Sequence, residues 1–233
     1  MDESVRLQNE IDWQKYNRWN KRHESMSKLW TEKFANWLRL RPDLAGASVL
    51  DFGCGYFDLG SQLVDICSSV DGFDPSVETI ETARKHNGTH ILLTSSKSDL
   101  PRGKYDFLLL NSVVQYMKTL TEFREFLREC RLLLAPGGRK QVILADIIPN
   151  DYSPYGDAVR CLLFAGMRGY LFPMLRHLIR AATVMNGGSL LRLDASILTE
   201  SCNKEGFDVQ FLSENLTPSV SRYSCILTMR LNT

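Results

Sequence analysis

The sequence has no charge excess, no long apolar run and no paired cysteine motif, and each lack excludes a class of protein. Twenty-eight Lys and Arg stand against 27 Asp and Glu, for a net charge of +1. That balance supplies no global attraction to nucleic acid or membrane, so a charged partner must be met by a local patch. No apolar run reaches the roughly 20 residues that a membrane span needs. The nearest approach, Cys161 to Met185, is broken by Arg168, Arg176, His177 and Arg180. A span is excluded; contact with a membrane surface is left open. Cys54, Cys67, Cys130, Cys161, Cys202 and Cys225 include no C-x-x-C pair and no His at ligand spacing, which predicts reduced, mostly buried thiols and no metal site. The polar N-terminus has no apolar leader segment, so a cytoplasmic location is expected. Internal repeats and low-complexity segments are absent too.

What is present is an alternation of strand and helix patterns. Residues 4–40 carry helical spacing with aromatics at Trp13, Tyr16, Trp19, Trp30, Phe34 and Trp37, and stop at Arg41-Pro42. Short apolar runs bounded by turn residues place strands at 48–52, 70–74, 90–94, 106–111 and 140–146, with helices near 59–68, 76–86 and 119–134. The last of these helices has Thr119 and Glu122 as a capping box and ends at Pro136-Gly137-Gly138. After the fifth strand come 47 residues, Ile147 to Leu193, then a helix capped by Asp194 and closed by Gly206. Strands at 207–212 and 222–231 follow, joined closely enough to be antiparallel neighbours.

The expected fold is therefore α/β: a doubly wound, Rossmann-like, mostly parallel seven-stranded sheet whose last strand is antiparallel. Its expected parts are an N-terminal helical arm (1–45), an α/β core (46–146), a helical insertion after strand five (147–193), and a final helix with a β-hairpin (194–233).

The most informative segment is Val49-Leu50-Asp51-Phe52-Gly53-Cys54-Gly55-Tyr56-Phe57-Asp58-Leu59-Gly60. A buried strand that breaks into a glycine turn brings backbone N–H groups against a ligand. A dinucleotide fingerprint, G-x-G-x-x-G, would need a third glycine where Asp58 stands. Asp74 follows Asp51 by 23 residues at the end of the second strand, where a carboxylate can accept both hydroxyls of a ribose; an N-cap is the simpler role, and Ser76 competes for it. Thr94-Ser95-Ser96-Lys97-Ser98-Asp99-Leu100-Pro101 closes the third strand, and Asn111-Ser112-Val113-Val114-Gln115-Tyr116 closes the fourth.

These four elements, in this order over residues 48–146, resemble the class I S-adenosylmethionine-dependent methyltransferases of the small-molecule type. Asp51, Gly53 and Gly55 match that family's first motif, with Phe57 at its third glycine. The resemblance implies that S-adenosylmethionine is the cofactor. It also implies that Asp51, Gly53, Cys54, Gly55, Tyr56, Asp74, Pro75, Ser76, Ser95, Ser96, Asn111, Ser112 and Val113 surround it. The adenine-holding acid of many relatives falls at Ser96, so adenine is served by that hydroxyl, by a backbone carbonyl, or by Asp99 folding back. The absence of an Asn-Pro-Pro-Tyr motif and the neutral net charge argue against nucleic-acid substrates.

Gln115 and Tyr116 are expected to border the transferred methyl group. Asp146, at the end of strand five, is the candidate general base or acceptor partner, with His23 and His177 as alternatives and a turn-forming cap as the structural role. Tyr16 of the arm, Tyr152, Tyr155, Arg160 and Arg168 of the insertion, and Arg222 are the candidate acceptor-binding residues. The insertion carries a local net charge of +3 among dense apolar residues, which suits a lid, a homodimer surface or a membrane-surface helix. The expected activity is methyl transfer to an oxygen or nitrogen of a small molecule, such as a secondary metabolite or saccharide precursor. An NAD(P)-dependent oxidoreductase and a non-catalytic binding protein of the same fold stay open as rivals.

Overall fold

A computed structural model describes residues 24–87, 91–137, 140–184 and 190–230. Within them a seven-stranded sheet has the order β3-β2-β1-β4-β5-β7-β6. Its parallel part consists of β1 (Ser48–Phe52), β2 (Ser69–Phe73), β3 (Leu93–Thr94), β4 (Phe107–Asn111) and β5 (Gln141–Ile147). Strand β7 (Tyr223–Met229) runs antiparallel to both β5 and β6 (Phe207–Phe211). The chain order reverses between β1 and β4, and ligands of open α/β sheets bind at the carboxyl ends of strands beside such a reversal.

Both sheet faces are covered, which explains why the central strands read as continuous apolar runs. On one face Leu50, Leu108, Leu110, Val142 and Leu144 pack against Phe123, Leu127 and Cys130 of α3 (Leu120–Leu133) and Leu198 of α6 (Ala195–Lys204). On the other, Val49, Leu109 and Ile143 meet Phe34, Ala35 and Leu38 of α1 (Glu24–Arg39) and Ile80 and Ala83 of α2 (Val77–Asn87). The described part of the arm is thus a core helix. Thr119 caps α3 as its sequence predicts, its hydroxyl accepting from Glu122 N over 3.1 Å. The Glu122 carboxylate accepts from Lys118 N, one residue away from the reciprocal bond of an ideal capping box.

Three expectations are corrected. The helix near 59–68 is absent; the chain there makes turns and one short 3-10 segment, Gly60–Gln62, because Asp51 takes the Gly60 N–H and the Phe57 ring lies against Gly60. The third strand is only two residues long. Asp194 precedes α6 without capping it: its carboxylate accepts from Asn150 N, tying the end of the β5 loop to the start of α6.

After β5 the chain forms a helical hairpin of α4 (Pro154–Met167) and α5 (Leu171–Val184). Ser153 caps α4, with Pro154 in its first turn. The hairpin has a small core of its own, Cys161, Ala165 and Met174, closed by Trp30 of α1.

Candidate active site

Strand β1 ends in a loop whose backbone makes the first wall of the crevice. Gly53 and Gly55 have φ of +78° and +55°, values that side chains disfavour. A Cβ at Gly53 would stand 2.5 Å from Val113 Cγ2, whereas a Cβ at Gly55 would meet nothing within 4 Å. Gly53 is therefore required by the protein's own packing, and Gly55 faces open space. The Cys54 thiol is buried and burial raises its pKa well above the ordinary value, so this residue offers the crevice only its backbone.

Phe57 adopts the glycine conformation without being glycine, at φ +68°. Its ring is fully buried in the sheet core, where a Cβ added at Gly72 would lie 2.8 Å from it. The ring is turned away from the crevice mouth. Beneath the loop, buried Asp51 accepts from Gly60 N over 3.0 Å. Burial pushes its carboxyl up to about 7; the Gly60 bond opposes this, and Asp58 and Asp74 add to it.

Asp74 closes β2 and accepts from Gly55 N (3.1 Å) and Ser76 N (2.9 Å). Burial raises its pKa, with those two N–H groups working against the shift. Ser76 takes the capping role: its hydroxyl accepts from Thr79 N and Thr79 Oγ1 at the start of α2. Asp74 thereby faces the glycine loop, and Pro75 is exposed beside it. At the end of β3, Asp99 folds back to accept from Thr94 Oγ1 over 2.7 Å, while the Ser96 and Ser98 hydroxyls lie 2.7 Å apart and Ser95 is half-buried.

At β4 and β5 two more residues take positive φ, Ser112 at +59° and Asp146 at +69°. Asp146 interrupts the pairing of β5 with β7 between Leu144 and Ile147, and such a bulge re-aims a side chain. Its carboxylate is fully subscribed. Oδ2 accepts from Ser112 Oγ (2.6 Å) and Arg222 (2.6 Å); Oδ1 accepts from Thr217 Oγ1 (2.6 Å) and Asn215 Nδ2 (3.3 Å). Asn111 Oδ1 and Gln115 Oε1 are buried without a hydrogen-bond partner among the described residues. Tyr116 is half-buried next to them.

Arg222 links this centre to the insertion. Its guanidinium reaches Asp146 on one side and Asp157 of α4 on the other (3.2 Å), and touches the Tyr152 hydroxyl (3.3 Å) and ring. Burial works against its charge, but Asp146, Tyr152 and Asp157 outweigh that and raise its pKa. Asp157 also accepts from Val220 N and Ser221 N. Of the insertion residues expected at the acceptor, only Tyr152 joins this cluster. Tyr155, Arg160 and Arg168 are exposed on α4 and its end, Arg168 lying over Phe164 and 3.8 Å from Glu32. Tyr16 and His23 lie outside the described residues.

Asp157, Asn215 and Thr217 escape the sequence reading. One signal for Asp157 exists: it is the single acid in a 31-residue stretch, 154–184, that is otherwise apolar and basic. Asn215-Leu216-Thr217-Pro218 reads as a turn, and its polar side chains meet Asp146 only in the folded chain.

Residues 50–139 match the family model described as a methyltransferase domain. The chain is 30% identical over 100 residues to the ubiquinone biosynthesis O-methyltransferase of Rhodopseudomonas palustris strain BisA53, covering 41% of this chain and 38% of that one. To the enzyme of the same name from Pseudomonas aeruginosa strain PAO1 it is 28% identical over 123 residues, 49% of this chain and 50% of that one. The chain thus spans half or less of the curated relatives it matches. In fold it is similar to magnesium protoporphyrin IX methyltransferase of Synechocystis PCC 6803, crystallised with S-adenosylmethionine: the TM-score is 0.60 at 16% identity, over 99% of this chain and 98% of that one.

Proposed function

We propose that this chain, whose residues 50–139 match a methyltransferase domain, is a class I S-adenosylmethionine-dependent methyltransferase that transfers the methyl group of S-adenosylmethionine to an oxygen of a small molecule. One observation carries this reading: the Asp74 carboxylate grips Gly55 N at the end of β2, beside a glycine whose α-carbon faces free space. A carboxylate in that position accepts ribose hydroxyls, and the bare glycine lets a nucleoside approach the backbone. The Phe57 ring, which would obstruct the cofactor if it filled the crevice, is packed beneath the loop. Oxygen is preferred to nitrogen because the matched curated relatives are O-methyltransferases.

Bound S-adenosylmethionine supplies an electrophilic methyl carbon on a sulfonium. The residues of this chain then have separable tasks. Asp74 and the Gly53–Gly55 backbone hold the nucleoside. Asn111 Oδ1, buried and unpartnered, offers an acceptor to a ligand N–H or O–H. Asp146 accepts four hydrogen bonds, one from a guanidinium, which leaves no oxygen lone pair turned to an acceptor's proton; it holds Ser112 and Arg222 in place. The rate then rests on orientation of the acceptor, and the reading favours an acidic hydroxyl, such as a phenol, that gives up its proton readily. Residues 147–193 act as the acceptor-selecting segment, supported by Tyr152 and Asp157 reaching the same arginine as Asp146. Six unpaired cysteines support a reducing, cytoplasmic setting.

Isothermal titration with S-adenosylmethionine, S-adenosylhomocysteine and NAD tests the cofactor. The expected result is heat with the first two and none with NAD, and at least a tenfold loss for Asp74→Ala. Heat with NAD alone overturns the proposal.

A further inference from the structure

The α4–α5 hairpin turns an apolar face to solvent. Tyr155, Val159, Leu163 and Met167 recur every fourth residue along α4, and Tyr155 and Met167 are 84% and 79% exposed. On α5, Leu171, Leu175 and Ile179 repeat the same spacing beside Phe172, which is 81% exposed. A four-residue step keeps side chains on one face of a helix, so each helix carries a continuous stripe. The buried residues of the pair, Cys161, Ala165 and Met174, are different ones, so this face is not the hairpin's own core. Between the stripes runs an apolar groove of about 500 Å³, lined by Val159, Leu163 and Met167 on one side and Leu171 on the other.

The exposed charges that α4 and α5 themselves carry have one sign. The only acid within 154–184 is Asp157, which is buried and fully used by Val220 N, Ser221 N and Arg222. Arg160 and Arg176 are exposed and make no ion pair among the described residues, while Arg168 is shared with Glu32 of α1. Each of the first two falls one residue after a stripe position, Val159 or Leu175, at the border of the apolar face. Long basic side chains at such a border reach headgroups while their stems cover apolar surface. A second copy of the chain would bring arginines against arginines; an anionic surface would neutralise them.

We propose that the α4–α5 hairpin docks on an anionic phospholipid surface, its stripes entering the headgroup and acyl boundary and its arginines meeting lipid phosphates. No helix among the described residues is long and apolar enough to cross a membrane, so the contact lies in the plane of the surface. Tyr152 and Asp157, which hold Arg222 beside Asp146, flank and open the first turn of α4. Docking therefore brings the rim of the crevice to the interface. This inference goes beyond methyl transfer and stands without it, since its test reads binding alone.

The test is flotation of the full chain with phosphatidylcholine vesicles containing about 30% phosphatidylglycerol, and with phosphatidylcholine alone, at roughly 0.1 M and 0.5 M salt. The protein is expected to float with the anionic vesicles, weakly with the neutral ones, and less at high salt. Met167→Glu with Phe172→Glu is expected to abolish flotation; both side chains are exposed, so the thermal unfolding transition is expected to stay in place. Arg160→Gln with Arg176→Gln is expected to lower the partition coefficient about thirtyfold, at about a fivefold factor per arginine. No flotation with anionic vesicles overturns the proposal. So does flotation that neither double variant alters, and so does concentration-dependent dimerisation that Met167→Glu with Phe172→Glu dissolves in a chain that never floats.

Discussion

The Ser112 hydroxyl donates to Asp146 Oδ2 over 2.6 Å, and both residues stand at positive φ at the ends of adjacent parallel strands. Left-handed backbone at non-glycine residues costs of order 1 kcal/mol or more each, and it persists where the surroundings over-determine it. Here Asp146 is held through both carboxylate oxygens and through its own N–H, which Asn215 Oδ1 accepts. Asp146→Asn tests what that investment serves. Asparagine tolerates the backbone and retains one acceptor oxygen, but leaves Arg222 with a single buried carboxylate. A stability loss of about 3 kcal/mol in urea unfolding is expected. For a positioning residue kcat falls while its pH profile keeps its shape; loss of an acidic limb would assign Asp146 to proton removal.

Phe57 combines two opposed effects that two substitutions separate. Its ring fills space under Gly60 and Gly72, so Phe57→Ala is expected to cost about 3 to 5 kcal/mol by leaving a cavity. Phe57→Gly removes the same ring but relieves the +68° backbone. It is expected to be the more stable variant by about 1 kcal/mol, although glycine is the more flexible residue when unfolded. Equal stabilities in denaturant titration would mean that the left-handed conformation at this position carries no strain.

The order of strands and crossover helices was legible because each parallel strand is a short apolar run ended by turn residues, and because Thr119 and Pro136-Gly137 punctuate α3. The helix at 59–68 was misread for a tertiary reason. Its apolar spacing is real, but Asp51 captures the Gly60 N–H and the Phe57 ring locks against Gly60, neither of which local pattern records. The candidate site divides in the same way. Asp51, Asp74 and the glycines sit at strand ends that periodicity locates. The role of Asp146 depends on Asn215, Thr217 and Arg222, which lie 69 to 76 residues further along the chain. Sequence position marks where such a carboxylate stands and is silent on which donors saturate it.

Asp51 makes stability depend on pH in a direction opposite to that of an ion-paired acid. Burial lifts its carboxyl from 3.8 to about 7, so between those values the folded protein keeps a proton that the unfolded chain has released. The contribution is fully present below the unfolded value and is lost as pH rises through about 7, amounting to a few kcal/mol. Asp51→Asn stays neutral at every pH and still accepts from Gly60 N. Relative to the parent, this variant is expected to gain a few kcal/mol between pH 4 and pH 8 in urea unfolding. Taking the difference between the two proteins cancels the opposite pH dependence of Asp65 and Asp106, whose pKa values are lowered. A difference that does not vary with pH would mean that Asp51 is ionised throughout.

Among the described residues, Asp157 is the α4 side chain that hydrogen-bonds the loop before β7, accepting from Val220 N, Ser221 N and Arg222 Nε at once. Removing it leaves two part-buried N–H groups and one face of a guanidinium without a partner, while Arg222 keeps Asp146. Asp157→Ala is therefore expected to cost about 2 to 3 kcal/mol, less than loss of both carboxylates would. The loss should be local. Amide hydrogen exchange is expected to speed up through α4, α5 and residues 219–222, with the amides of β1, β4 and β5 unchanged, because those strands are packed by α1, α2 and α3 on surfaces that Asp157 does not touch. Uniform acceleration across the sheet would instead show that the hairpin and the core open as one cooperative unit.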